Sequence, residues 1–484
     1  MERLVNNTKQ QPQQRIAFQT LGCRSNFADT IDLQALIAEK GATACELNNA
    51  ANVFVLNTCT VTDEADKEVL RQLKRAKRIA PEAKIIVTGC MAEVSRDELL
   101  ATGLVDAVIG PGRKSELVSE IFFGVDQTES TTPEKNQELV QLPKIYPSGR
   151  RPKRSLPERK SISLRDKISP ALVGPGEKLG EVVQRARYHL RVQEGCENSC
   201  TFCIIPQTRG RLSSREIEEI KRDIEVLYAK GYREIVLTGT HLGGYGEEVG
   251  QSLLGLIQEL LKLDFPIRYR LSSIDPNDLS KDLIDLVAAS ISQGDKFAKH
   301  LHICVQAFSH RILKLMNRKY SLENVYELVE YIGQVLPGIG LGTDVICGFP
   351  GELREESESG IVEFERLQFT YLHAFPYSER AGTAATRLAD SVLVSERNRR
   401  AARYRAASSR KECAFARSLI GRNVDVVLEN TRDCEFGGTT SEFLNARINR
   451  PQDVERSKEL QVGKIVKVQV IGVEQERNRL ICDF

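Results

Sequence analysis

Net charge is nearly lacking: 68 Lys and Arg stand against 66 Asp and Glu, which leaves +2. Such a balance excludes a molecule that grips polyanions with its whole surface, so any nucleic-acid face must be local. Long apolar runs are lacking as well; none approaches the ~20 residues that span a bilayer. The first residues, MERLVNNTKQQPQQR, have no apolar h-region, so no signal peptide, no membrane and a cytoplasmic location are expected. Hydrophobic residues at 41% and charged residues at 28% are ordinary for a globular chain. A length of 484 residues exceeds one typical domain.

Cysteine is what the chain has in quantity, with 12. In a reducing compartment thiols serve metals or catalysis rather than disulfides. Cys196, Cys200 and Cys203 fall together in EGCENSCTFCIIP. Thiolates bind soft metals, and three so close can converge on one centre. A structural zinc site is usually closed by four protein ligands, and a zinc knuckle is the bland alternative here. A 4Fe-4S cluster held by three thiolates keeps one iron free for another ligand.

Toward the N-terminus one local pattern repeats. RIAFQTLGC, NVFVLNTC and KIIVTGC each run apolar and β-rich into a cysteine, at Cys23, Cys59 and Cys90. Helical patterns follow at Asp29–Lys40, Glu64–Ile79 and Ser95–Leu100. The alternation predicts a parallel α/β sheet. Ligands gather beyond the carboxyl ends of such strands, where all three cysteines fall. Taken singly, each reads first as a small buried residue, and the repeated position after three strands shifts that reading toward a shared site.

Between Lys144 and Leu179 the chain is rich in Lys, Arg, Pro and Ser without hydrophobic periodicity, which reads as a basic linker. From Arg187 the β/α alternation returns six times, with strands expected at Tyr188–Gln193, Glu234–Thr238, Arg268–Ser272, His300–Gln306, Gly342–Cys347 and Tyr371–Phe375. Six units predict a partial (β/α)6 barrel with the Cys196 loop at its active-site face. Strand ends there carry Gly239, Thr240, Ser273, Gln306 and Asp344, candidates for holding a cofactor. Cys304 and Cys347 fit apolar strand patterns and are expected in the core. Ser395–Lys411 reads as a basic helix with a solvated face. Beyond it Asn423–Leu428, Gly437–Ala446, Ile465–Gly472 and Leu480–Phe484 suggest a small β-barrel.

The motifs together resemble the radical S-adenosylmethionine (radical-SAM) methylthiotransferases. TLGCRSNFADT, LNTCTVTDEAD and VTGCMAE carry the N-terminal likeness. EGCENSCTFCIIPQTRG, EIVLTGTHLGGYG, YRLSSIDP, TDVICGFPGE and LHAFPYSERAGTAA carry the central one. The resemblance implies three parts: a methylthiotransferase domain over 14–143, a radical-SAM core over 182–411 and a TRAM-like RNA-binding domain over 412–484, with 144–181 as linker. It implies two 4Fe-4S clusters, one on Cys196, Cys200 and Cys203 and an auxiliary one on Cys23, Cys59 and Cys90. Phe202 matches the aromatic that packs near the adenine of S-adenosylmethionine.

The implied reaction places a methylthio group on C2 of N6-threonylcarbamoyladenosine beside the tRNA anticodon. Implied partners are tRNA, a flavodoxin- or ferredoxin-like electron donor and a sulfur donor. The run Asn57–Thr62 (NTCTVT) sets the chain apart from relatives acting on isopentenyladenosine or a ribosomal-protein aspartate. Those substrates, and a metal-containing RNA-binding protein without activity, are the alternatives. The TRAM-like segment would grip tRNA with help from Lys67–Arg78 and Ser395–Lys411. The chain departs from the family at Gln306-Ala307-Phe308, where Gln-Ser-Gly is usual, and at Cys304, where serine is common.

Overall fold

The computed structural model describes residues 14–60, 63–122, 178–179, 182–183, 186–294, 296–432, 435–449 and 459–484. The basic linker, apart from its last two residues, lies outside them.

The first unit is a five-stranded parallel sheet. Its strands are β1 (Arg15–Thr20), β2 (Thr43–Cys45), β3 (Val53–Thr58), β4 (Lys84–Gly89) and β5 (Ala107–Val108), in the order β2-β1-β3-β4-β5. The strand β3 is buried along its whole length, as a central parallel strand covered on both faces must be. Helices α1 (Arg24–Glu39), α2 (Asp63–Ile79), α3 (Cys90–Val94), α4 (Arg96–Ala101) and α5 (Lys114–Phe122) follow the strands. In α2 the buried positions Val69, Leu73 and Ala76 recur at helical spacing, which fixes the face turned to the sheet. The short β2 and β5 were not anticipated; two or three residues carry no readable period. The helix expected at Ser95–Leu100 is preceded by a further turn, α3, that begins at Cys90 itself.

A two-stranded antiparallel pair, β6 (Lys178–Leu179) and β7 (Val182–Val183), precedes the second unit. That unit holds β8 (Tyr188–Glu194), the short antiparallel β9 (Ser213–Ser214), β10 (Glu234–Gly239), β11 (Arg268–Leu271), β12 (His300–Gln306), β13 (Gly340–Cys347) and β14 (Tyr371–Pro376). Parallel ladders join β8 to β10 to β11, and β12 to β13 to β14. Single parallel bridges, Tyr269 to Phe297 and Ile274 to Ile303, connect the two halves. The six parallel strands therefore form a curved sheet, open between β14 and β8 among the described residues. Helices α6 (Ile205–Arg209), α7 (Ile217–Ala229), α8 (Leu253–Leu261), α9 (Lys281–Gly294), α10 (His310–Leu315), α11 (Leu322–Val335) and α12 (Arg354–Arg366) alternate with these strands. Serine caps fix several helix starts: Ser252 accepts from Gly255 N, Ser309 from Ile312 N, and Ser321 forms a reciprocal capping box with Asn324.

The long α13 (Val394–Ser418) covers the expected basic run. Several of its cations pair with acids of the same chain. Arg400 pairs with Glu352 at 2.9 Å and Arg403 with Glu358 at 2.8 Å. Arg410 pairs with Glu365, and Lys411 donates to the carbonyls of Phe364, Glu365 and Leu367. Arg397 and Arg400 are buried. The solvated face read from the sequence is present at Arg399, Arg403 and Arg410, but Arg403 and Arg410 on it also pair with acids of α12 about 45 residues upstream, beyond any local window.

The last unit is a closed barrel of β15 (Asn423–Arg432), β16 (Glu435–Thr440), β17 (Asn445–Ile448), β18 (Ile465–Glu474) and β19 (Arg479–Asp483), in the order β15-β16-β17-β19-β18. Expected as one strand, Gly437–Ala446 is two, broken at a turn that includes Phe443 with φ +71°. This turn enters the second unit. The buried Arg270 of β11 donates to the carbonyls of Thr440 (3.0 Å) and Ser441 (3.1 Å), and the Ser441 hydroxyl accepts from Lys299 N at 2.9 Å.

Candidate active site

Because β1, β3 and β4 are neighbours in the sheet, the residues after them share one edge. Cys23 caps α1, Cys59 follows β3, and Cys90 opens α3. Gly22 makes the close approach possible. Its φ is +94°, and a Cβ there would lie 2.3 Å from Cys59 Cβ and 2.7 Å from its Sγ. Asn26 ties the loops together by donating to the carbonyls of Leu21 (2.8 Å) and Thr58 (2.9 Å). Asn57 donates to Asn26 O at 2.8 Å. Cys23 is exposed, whereas Cys59 and Cys90 are buried. Burial raises the Cys90 thiol, and the Arg209 guanidinium opposes that rise.

The second set sits on the loop after β8. Gly195 turns the chain with φ +78°, at a point where a Cβ would meet Arg211 O at 1.8 Å. The loop is held from the far side of the unit: Thr201 N donates to Met316 O, and Asn317 Nδ2 to Ser199 O. Two sulfurs already accept hydrogen bonds, Cys200 from Arg318 Nη1 at 3.0 Å and Cys196 from Asn198 N at 3.4 Å. Burial pushes the Cys196 thiol up to about 11 and that of Cys203 up to about 12. Binding a soft metal would release those protons.

One cavity of about 800 Å³ lies between the two sets. Cys23 and Cys59 line one part of it, and Cys196, Cys200 and Cys203 another. Cys90 lies beneath the surface, within reach of the charges of Cys23 and Arg209. Phe202, Gly239, Thr240, Ser273, Gln306 and Asp344, the residues expected to hold a cofactor, all line the same space. Gly239 leaves no room for a side chain, since a Cβ would come 2.7 Å from Gln193 Oε1. Thr240 Oγ1 and the neighbouring Ser272 Oγ are buried without a hydrogen-bond partner, as expected of groups that await a polar ligand. At the family departure, Gln306 is left-handed with φ +68°, while Ala307 and Phe308 are buried. The converging thiols, the free hydroxyls and the volume fit clusters and a nucleoside-sized sulfonium.

Cys304 was expected in the core and is instead in the cavity wall. On β12 the odd positions Leu301, Ile303 and Val305 turn to the hydrophobic core. The even positions His302, Cys304 and Gln306 line the cavity. Strand alternation could have found this, but the apolar character of cysteine hid it. Cys304 Sγ lies 3.4 Å from Asp344 Oδ2, and His302 Nε2 lies 3.1 Å from Asp344 Oδ1. Burial alone would raise the Asp344 carboxyl, but His302 holds it below its ordinary value. Cys347 is buried, as expected.

Sequence reasoning missed the groups that the other two units bring to this wall. Arg24 of α1 and Phe443 of the C-terminal barrel both line the cavity. The Phe443 ring stacks on His300 with centroids 4.4 Å apart. Arg209 ends α6 fully buried, donates to Asn26 Oδ1 and pairs with Asp29 at 2.6 Å and Glu194 at 3.0 Å. Arg191 and Lys114 join the same acids, Asp29 and Asp32. Buried charges persist only when paired. This cluster therefore fixes the first unit on the second and holds the two cysteine sets at one cavity.

Known proteins place this geometry. A model described as uncharacterized protein family UPF0004 matches residues 15–110, and the Radical SAM superfamily model matches residues 190–359. The threonylcarbamoyladenosine tRNA methylthiotransferase MtaB of Bacillus subtilis is 34% identical over 94% of this chain and 93% of its own length. MtaB of Aquifex aeolicus is 32% identical over 94% and 99%. A tRNA-2-methylthio-N(6)-dimethylallyladenosine synthase of Acetivibrio thermocellus is 30% identical over 94% and 88%. Among solved structures, the radical S-adenosylmethionine methyltransferase TsrM of Kitasatospora setae shares the fold. Its TM-score is 0.52 at 17% identity, over 75% of this chain and 72% of that one.

Proposed function

We infer that this chain, which belongs to the radical-SAM tRNA methylthiotransferase family, places a methylthio group on C2 of N6-threonylcarbamoyladenosine beside the tRNA anticodon. The observation that carries the reading is the single cavity lined from both cysteine sets. One set alone would account for radical chemistry; two at one cavity account for a radical and a sulfur. Family membership brings S-adenosylmethionine and 4Fe-4S clusters as the cofactors.

In this reading Cys196, Cys200 and Cys203 hold the radical cluster, and Cys23, Cys59 and Cys90 the auxiliary one. Bound together, the radical cluster and S-adenosylmethionine supply a 5′-deoxyadenosyl radical directed at the adenine C2–H. The chain's own groups bind and orient. Phe202 packs beside the cofactor's adenine. Gly239, Thr240, Ser273, Gln306 and Asp344, which line the cavity, would receive its polar groups. Arg318 donates to Cys200 and pairs with Asp275, so the sulfur keeps a fixed donor. The sulfur is assigned to the auxiliary site and the methyl group to a second S-adenosylmethionine. A flavodoxin- or ferredoxin-like reductant and a sulfur donor complete the cycle.

The same reading divides the work among residues 14–143, 182–411 and 412–484, the last gripping tRNA. It places the protein in the cytoplasm, where tRNA is; among the described residues no helix is long and apolar enough to cross a membrane. Mass spectrometry of tRNA nucleosides from a deletion strain tests the substrate. Loss of the 2-methylthio derivative of N6-threonylcarbamoyladenosine is expected. If that nucleoside persists while methylthiolated isopentenyladenosine disappears, the substrate is the other one.

A further inference from the structure

Four arginines line the cavity: Arg24, Arg187, Arg209 and Arg318. Three have a carboxylate partner. Arg187 pairs with Glu429 at 2.7 Å, Arg209 with Glu194 at 3.0 Å, and Arg318 with Asp275. Arg24 has none among the described residues, and its Nη1 is buried with no hydrogen-bond partner. Its guanidinium lies 5.7 Å from the centre of the Phe443 ring. Arg187 and Arg270 approach that same ring at 6.0 and 5.4 Å. Arg270 pairs with Glu234 at 2.9 Å, an acid it shares with Arg268 at 2.7 Å. Arg24 is therefore the cavity arginine left without a salt bridge among the described residues, although the Asp344 carboxylate of the same wall acts on it from a distance.

A buried guanidinium without a counter-ion is costly, and its planar fork matches a carboxylate. The substrate proposed above carries one carboxylate, on the threonine of its N6 substituent, and an isopentenyl group carries none. We propose that Arg24 receives the threonine carboxylate of the threonylcarbamoyl group and so selects the modified nucleoside. The assignment rests on that substrate reading. Arg24 is the residue after Cys23 and the first of α1, so the contact would also place the base against the auxiliary site. Phe443 presents its ring to the guanidinium on the same wall.

The test measures affinity of the cluster-loaded enzyme for two anticodon stem-loops. One bears N6-threonylcarbamoyladenosine, and the other bears the same nucleoside with its carboxylate converted to the primary amide. Wild type is expected to prefer the acid by about 10- to 100-fold, the range for a hydrogen bond to a charged group. Arg24→Gln is expected to lose that preference by binding the acid more weakly while holding the amide as before, and Arg24→Lys to restore part of it. Iron content should be that of wild type in both variants. Equal binding of acid and amide by wild type overturns the proposal, and so does a loss in Arg24→Gln that falls on both ligands alike. Turnover separates the two readings. Continued methylthiolation of the acid stem-loop without any acid preference removes Arg24 alone. Turnover of an isopentenyladenosine stem-loop in place of it removes the substrate reading as well.

Discussion

The two cysteine sets reach the same cavity by different means. Cys196, Cys200 and Cys203 share one loop, and short-range bonds hold its turns: Cys203 N donates to Cys200 O, and Cys196 N to Gly210 O. Cys23, Cys59 and Cys90 come from three strand ends, and only the parallel register of β1, β3 and β4 brings them together. A loop set keeps its sulfurs on one short segment, although this loop is also anchored to Met316 and Asn317. A sheet-edge set fails whenever the sheet does, but it can be stitched to another unit, as Asn26 and Arg209 stitch this one.

The largest effect is expected from replacing Cys196, Cys200 and Cys203 together by Ala. Reductive cleavage of S-adenosylmethionine should fall to background, with about half of the bound iron lost. The matching triple change at Cys23, Cys59 and Cys90 should also remove about half of the iron, yet leave cleavage near wild type while sulfur insertion stops. Continued thiolation by that variant would refute the division of labour.

A finer probe is Gly22→Ala. The positive φ and the 2.3 Å approach to Cys59 Cβ should cost roughly 1–3 kcal/mol of stability and lower iron occupancy at the auxiliary set alone. Equal loss from both sets, read by Mössbauer or electron paramagnetic resonance spectra, would show that the sets are not independent.

The effect with least bearing on the two cysteine sets concerns the joint with the C-terminal barrel. Burial alone would raise the Glu234 carboxyl, but Arg270 and Arg268 pull it down to about 2. A depressed carboxyl stabilises the fold fully above its ordinary value of 4.5 and loses that contribution as pH falls toward 2. Glu234→Gln should therefore lower stability at pH 7 by up to about 3 kcal/mol, and the gap to wild type should close on acidification through that window. A gap independent of pH, in urea melts, would mean that packing rather than charge holds the joint.

Much of this molecule was legible before folding. The six strands of the second unit fall within two residues of where their apolar runs place them, because strand and helix periods differ enough to be read in a short window. The strand-turn-cysteine repeat located the sheet edge for the same reason. What escaped has a common cause. The acids that pair with the basic face of α13, the turn that carries Phe443 into the second unit, and the cavity-facing side of Cys304 depend on partners or orientations outside any local stretch.

That Cys196, Cys200 and Cys203 share one loop was legible from spacing alone, because they fall in one short stretch of chain. That Cys23 and Cys59 open onto the same cavity, with Cys90 beneath, required strand pairing and the Arg209–Asp29 contact, 180 residues apart in the chain. That Arg24 faces the cavity without a salt bridge was likewise invisible in TLGCRSN. A residue's type is local, whereas its counter-ions are supplied by whatever packs against it.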